Sequence, residues 1–395
     1  MAGNLTASFA ALAGHLAVAA ALAGQPLQET AKGHWWTQEW RGEADPMPRV
    51  VVRTRGAVTV RGSAVGKVRY HLTTRVRGGR YPDVAPEVFD RSGIAIRTLA
   101  DGSLQLALRD PACSGCRVHY HLVVEVPPDS DEISVETSAG PLSVSSIAGS
   151  VTARVNGGAI RVDQVGGSVT AVTAGGDVRL GAIGGHVQCE TAGGGIQLDR
   201  SGGSARLITS LGSIRADRVA GDLHAETGGG GIKIGRVDGI VRALTGGGLI
   251  QVREARNGMR AESGAGDIRI DQAIGRLMLA SAAGDIVAAI QEGATLEDSE
   301  LTTSTGAIVL TLPESLALTL DASIALDRGL RSIFSDFPSV QVRQTPGRLG
   351  PGGAQAIGMI NGGGSLVRIR NGRGRIEIRR MAVTSAVRQE GGQDR

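Results

Sequence analysis

The sequence predicts an all-β chain: a single-stranded parallel β-solenoid of 18-residue coils, right-handed in preference to left-handed, with an N-terminal antiparallel β cap. Three observations predict it. From Asp131 to Glu292 one 18-residue unit is written nine times without an insertion, and a fixed period near 20 residues marks stacked repeats. Within each unit apolar and polar residues alternate at period two on both sides of a Gly turn, as in Val169, Ala171, Thr173, then Val178 and Leu180, which is strand periodicity. One Gly column runs from Gly140 through Gly158 and Gly176 to Gly284, followed by an aliphatic column from Leu142 through Ile160 and Val178 to Ile286.

A segment this rich in Gly and β-branched residues loses too much backbone entropy to be helical. A single coil of short strands cannot bury its own apolar face, so each coil must stack on the next and turn every column into a ladder. The inward columns cluster in two groups around the Gly turn, whereas a left-handed hexapeptide helix needs an aliphatic residue every six positions; this is the ground for expecting a right-handed or flattened solenoid.

The remaining columns have plain structural readings. Thr137, Thr173, Thr191, Thr209, Thr227 and Thr245, continued by Ser263 and Ser281, are expected to pass hydrogen bonds along the stack. The Gly column answers either to positive φ or to close approach between coils. Cys189 falls in a small inward column and is expected to be packed.

Composition and spacing divide the chain into a signal-peptide-like stretch 1–24, a polar lead 25–48, a β cap 49–130, solenoid repeats 131–313, C-terminal strands with a closing coil 314–380 and a polar, disordered tail 381–395. Residues Leu5 to Gly24 are rich in Ala and Leu and end in Ala21-Leu22-Ala23, which resembles a secretory signal peptide, although no Lys or Arg precedes the run. Export to the periplasm, cell envelope or exterior is therefore the expectation, with a cytoplasmic location as the alternative. No second apolar run is long enough to span a bilayer, so the mature chain is expected to have no transmembrane segment. The lead holds all three tryptophans, Trp35, Trp36 and Trp40, expected to plug an open end of the core, with a grip on a sugar or membrane surface as the alternative. The stretch Gly329 to Pro351 reads as a loop.

A net charge of +4 is small for 395 residues, so no nucleic-acid partner is expected. No cofactor is expected either. The Gly runs lack the Lys-Ser/Thr of a phosphate loop, and Asp follows the steady Gly only at Asp177, Asp267 and Asp285, too sparsely for a calcium ladder. Cys113 and Cys116 flank a two-residue turn between strands; in an exported protein they are expected to form a disulfide, with redox and metal roles as alternatives. Within the repeats, Arg161, Arg179, Arg215, Lys233 and Arg269 share an outward column, with Asp163, Asp199, Asp217 and Asp271 two positions on. This is either a binding stripe for an acidic glycan or a solvated salt-bridge ladder of small energetic worth.

The strand ending in Val126-Pro127-Pro128, the repeated T-x-x-G-x-I-x-V units after it and the Asn361-Gly362-Gly363-Gly364-x-Leu366-x-Arg368-Ile369 segment together resemble the bacterial putative adhesin family, over roughly Arg49 to Arg379. That resemblance implies a β-solenoid, exported or membrane-associated, with no known catalytic residues. The expected function is a non-enzymatic, adhesin-like or scaffolding role toward a cell-surface protein or glycan. Two alternatives are a carbohydrate-active β-helix enzyme and a bactofilin-like filament former. Polysaccharide lyases and hydrolases need carboxylates or other charged groups converging in a walled cleft, and nine insertion-free units with no aromatic residue offer no such walls.

Overall fold

The computed structural model describes residues 28–30, 35–64, 66–77, 84–110, 117–326, 332–345 and 352–382. The signal-peptide-like stretch, Cys113, Cys116 and most of the expected tail lie outside them. The chain divides into two compact units, Met1–Gly149 and Ser150–Arg395, taken here in turn.

In the C-terminal unit the repeats form two parallel sheets, with two strands from each coil. Strands Ile160–Val165, Val178–Ile183, Ile196–Ser201 and Ile214–Val219 succeed one another in one sheet. Their register sets Val178 beside Ile196 and Ile196 beside Ile214, an offset of one coil each time. The other sheet stacks Val169–Thr173, Val187–Thr191 and Ala205–Thr209 the same way, with Ala171 beside Cys189 and Cys189 beside Leu207. The solenoid expected from the repeat is therefore the architecture found. Val178, Leu180, Ala171 and Leu207 are at most 1% exposed, and fully burying an aliphatic side chain is worth roughly 1.5–3 kcal/mol. Each coil repeats that gain.

A third inward column, absent from the sequence reading, lies three residues after Val162, Leu180, Leu198, Ala216 and Ile234, beyond two outward residues. It contains Val165, Ile183, Ser201, Val219 and Val237, all buried. Ser201 is tolerated because its hydroxyl donates to the carbonyls of Gly185 (3.0 Å) and Gly203 (2.9 Å).

Gly140 has a φ of +87°, but from Gly176 to Gly284 the steady glycines owe their identity to close approach. A Cβ on Gly176 would stand 2.1 Å from the carbonyl oxygen of Gly158, and one on Gly230 at 2.1 Å from that of Gly212. Neither residue has a positive φ.

The four-residue phase slip after Glu292 sets Ile286 beside Ile308. The chain then leaves the stack and returns: Leu366–Arg373 and Ile376–Arg380 lie directly on Ser299–Thr305 and Ile308–Leu312. Leu318–Ile324 takes the far side of Leu366–Arg373, followed by antiparallel Gly353–Ile360 and Gln341–Thr345. The stretch read as a loop between Gly329 and Pro351 thus holds two short strands, Ile333–Ser335 and Gln341–Thr345. The first is only three residues long and the second is exposed along residues 341–344, so no alternation betrayed them.

In the N-terminal unit, Trp35–Ala44, Val68–Arg77 and Arg117–Val126 form an antiparallel sheet, and Gly93–Thr98 pairs antiparallel with Leu104–Arg109. The polar lead therefore carries a ten-residue strand. Arg49–Thr54 and Ala57–Gly62, expected in the antiparallel cap, instead pair in parallel with Glu132–Thr137 and with Leu142–Ile147. They make a coil of the repeat pattern, with Thr54, Gly56 and Val58 in the places of Thr137, Ala139 or Gly140, and Leu142. A helix absent from the sequence reading, Val84–Arg91, packs Val88 and Phe89 on Val76. Its Pro86 sits in the first turn, where a missing N–H breaks no helical bond.

Candidate functional site

Two surfaces are candidates, one in each unit. On the solenoid, the five basic residues of the expected stripe do share one outward column. Arg161 lies beside Arg179, and Arg215 beside Lys233; Gln197 and Gln251 occupy the intervening positions. Aspartates engage three of the five. Arg215 meets Asp217 at 3.0 Å, Arg269 meets Asp267 at 2.9 Å and Arg179 meets Asp177 at 3.9 Å. These side chains are about half exposed, so each pair is worth roughly 0–1 kcal/mol. Among the described residues Arg161 and Lys233 have no ion pair.

The aspartates two positions on are occupied locally. Asp163 Oδ1 accepts the N–H groups of Gln164 (2.9 Å) and Ala182 (3.2 Å), and Asp199 accepts the side-chain amide of Gln197 at 3.0 Å. The depression they border, with Arg161, Arg179 and Gly181, has a volume of about 120 Å³. That is a few water molecules' worth of space.

At the other turn of the coil a further ladder runs. Ser168 Oγ accepts the N–H of His186 (3.1 Å), His186 Nδ1 that of Ser204 (3.0 Å), Ser204 Oγ that of Asp222 (3.2 Å) and Asp222 Oδ1 that of Ile240 (2.8 Å). These residue types share an acceptor atom one or two bonds from Cβ and nothing else. Their mixed identity hid the column. It also explains His186 without a catalytic role. Cys189 is fully buried, and burial, with the charge of Glu190 second, pushes its thiol well above the usual range. It is packed, as its column implied.

The N-terminal unit holds a larger cavity, about 1060 Å³, over the outer face of its antiparallel sheet. Strand alternation divides the tryptophans. Trp36 and Trp40 pack against Val76, Val88 and Phe89, with Trp40 and Phe89 centroids 6.1 Å apart. Trp35 points the other way and lines the cavity, its ring 5.1 Å from His119 with Arg77 at 5.9 Å. The plugging role expected of the cluster thus describes two of its members. Across the sheet, Thr37 stands opposite Arg75 and Arg75 opposite His119; Glu39 stands opposite Thr73 and Thr73 opposite His121. Glu39 is hydrogen-bonded to His71 at 3.0 Å, which holds its carboxyl below the usual carboxylate range.

Among the described residues no group of three or more His, Cys, Asp or Glu is placed to hold a metal ion, and no helix is long and apolar enough to cross a membrane.

No family model and no curated protein matches the chain. Similar solved structures include a putative cell adhesion protein from Clostridium sporogenes, 8% identical, covering 87% of this chain and 100% of that one with a TM-score of 0.21. A putative adhesin from Bacteroides fragilis is 11% identical over 87% of this chain and 97% of that one, TM-score 0.24. A putative adhesin from Parabacteroides distasonis is 11% identical over 70% and 97%, TM-score 0.33.

Proposed function

We propose that this chain is a non-enzymatic, exported or cell-envelope β-solenoid that acts as an adhesin-like or scaffolding element, holding a binding surface on a rigid support. The observation that carries this reading is the uninterrupted register from Val151 to Ala273, in which each strand meets the next coil's equivalent residue with no inserted loop. A carbohydrate-cleaving β-helix builds its cleft walls from such insertions and converges carboxylates in them. Here the outward aspartates Asp163 and Asp199, which border the same depression, are engaged by neighbouring amides.

Cell fractionation with N-terminal sequencing of the mature protein tests the location: envelope or extracellular recovery is expected, and exclusive recovery in the cytosol overturns it. A polysaccharide-cleavage screen tests the absence of catalysis. Activity that disappears in Asp163→Ala or Asp199→Ala would establish the enzymatic alternative.

A further inference from the structure

The cavity of the N-terminal unit has the chemistry of a ligand site. Its floor is a sheet face, so its side chains are held at strand spacing. Facing it are Arg55, the backbone around Gly56 and the turn Ala139 to Pro141. A volume of about 1060 Å³ accommodates several sugar rings.

Its charge is unbalanced toward the cationic. Arg55 is paired with Asp110 at 3.0 Å, and Glu39 is bonded to His71. Arg75 is exposed and has no ion pair among the described residues. A guanidinium fork so placed matches a carboxylate with two parallel hydrogen bonds. Beside it Thr37 also lines the groove, with its hydroxyl oxygen buried from solvent. Trp35 supplies a half-buried indole at one end of the same face, the kind of surface on which the CH face of a pyranose packs.

The middle of the face carries the Glu39 carboxylate, which accepts hydroxyl groups and repels a chain with a charge on every unit. Nucleic acid binding without sequence preference uses a continuous basic track with several stacking rings, and here there is one tryptophan and a central carboxylate. A saccharide with carboxylates on some rings and free hydroxyls on all of them fits each feature.

We propose that this groove binds a uronic-acid-containing saccharide chain, with Arg75 taking a ring carboxylate, Trp35 packing on a sugar face and Glu39 bonding hydroxyls. The proposal deepens the binding role proposed above and rests on it.

The test is titration calorimetry of the full chain with a hexasaccharide in which glucuronic acid alternates with N-acetylglucosamine, the same hexasaccharide fully methyl-esterified, and a single-stranded oligonucleotide. The expected result is saturable binding of the free acid, weakened about tenfold or more by esterification and further by added salt. Trp35→Ala and Arg75→Ala should each weaken it about tenfold, with Trp35→Tyr retaining most of it and Arg215→Ala, on the solenoid stripe, leaving it unchanged. An unchanged thermal midpoint in Arg75→Ala shows that its loss of binding is not a loss of fold. Equal binding of the ester, tighter binding of the oligonucleotide, or no saccharide binding overturns the proposal. Loss of binding in Arg215→Ala alone also overturns it, while leaving the binding role standing on the solenoid face. Fractionation judges that wider reading independently.

Discussion

Thr191 donates its hydroxyl hydrogen to the carbonyl of Gly176, in the preceding coil, at 3.0 Å, and accepts the N–H of Gly194 in its own coil at 3.3 Å. Because Gly176 in turn donates its N–H to Thr173, the Thr hydroxyls are linked through the intervening glycine peptides and not to one another. The alternation continues from Thr173 to Thr303. Chains of this kind polarise each member in turn. Thr and Gly columns are thus two halves of one device wherever both occur; Val155, which lies beside Thr173, fills the Thr place of its coil without a hydroxyl.

Removing one hydroxyl should therefore be felt despite equal volume. Thr209→Val leaves the carbonyl of Gly194 and the N–H of Gly212 short of a partner in a site where Thr209 is 1% exposed. A loss of about 1–3 kcal/mol in urea unfolding is expected. An unchanged midpoint would refute the relay.

Adjacent glycines should behave oppositely. Gly230→Ala drives a Cβ to 2.1 Å from a backbone oxygen, whereas a Cβ on Gly229 meets nothing within 4 Å. Gly230→Ala should cost several kcal/mol or prevent folding, and Gly229→Ala should be neutral or stabilising by about 0.4–1 kcal/mol. Thermal melts of the pair decide it; similar losses in both would mean that turn conformation, not coil spacing, selects the glycines.

The Cys189 thiol should resist alkylation in the folded protein. It is fully buried, and burial holds it protonated at neutral pH, where only the thiolate reacts. Iodoacetamide labelling of Cys189, read by peptide mass mapping, should appear only with denaturant; rapid native labelling would show that the stack opens locally.

Acid should weaken one specific contact near the C-terminal strands. Arg370 hydrogen-bonds Asp321 and lowers its carboxyl below the usual value. A depressed folded pKa adds stability that is present above the unfolded value near 4 and lost as pH falls through the lower folded value. Asp321→Asn should therefore lower the thermal midpoint at about pH 7 and converge on the parent at about pH 2–3. A gap that persists in acid would assign the effect to packing.

The solenoid was legible in the residues because its information recurs at fixed spacing: Val178, Ile196 and Ile214 are equivalent in the text and adjacent in space. The stripe of Arg161, Arg179, Arg215, Lys233 and Arg269 was legible for the same reason, as was Asp217, the partner of Arg215, but the partners of Arg179 and Arg269 were not. Arg179 and Arg269 turn back toward Asp177 and Asp267, two residues earlier, because a strand residue has same-face neighbours in both directions.

What resisted reading was pairing without a period. Val50 meets Ile133 only because the intervening chain makes its own strands and returns, and no local pattern encodes that choice. The side of the sheet that Trp35 faces was equally hidden: alternation states that Trp35 and Trp36 point in opposite directions, but which side receives the helix Val84–Arg91 depends on distant contacts with Val76. A repeat that stacks on itself carries its own register, so the linear order of residues suffices to define the coil, its spine and its outward columns. The groove under Trp35 and Arg75 exists only where non-repeating strands have found one another.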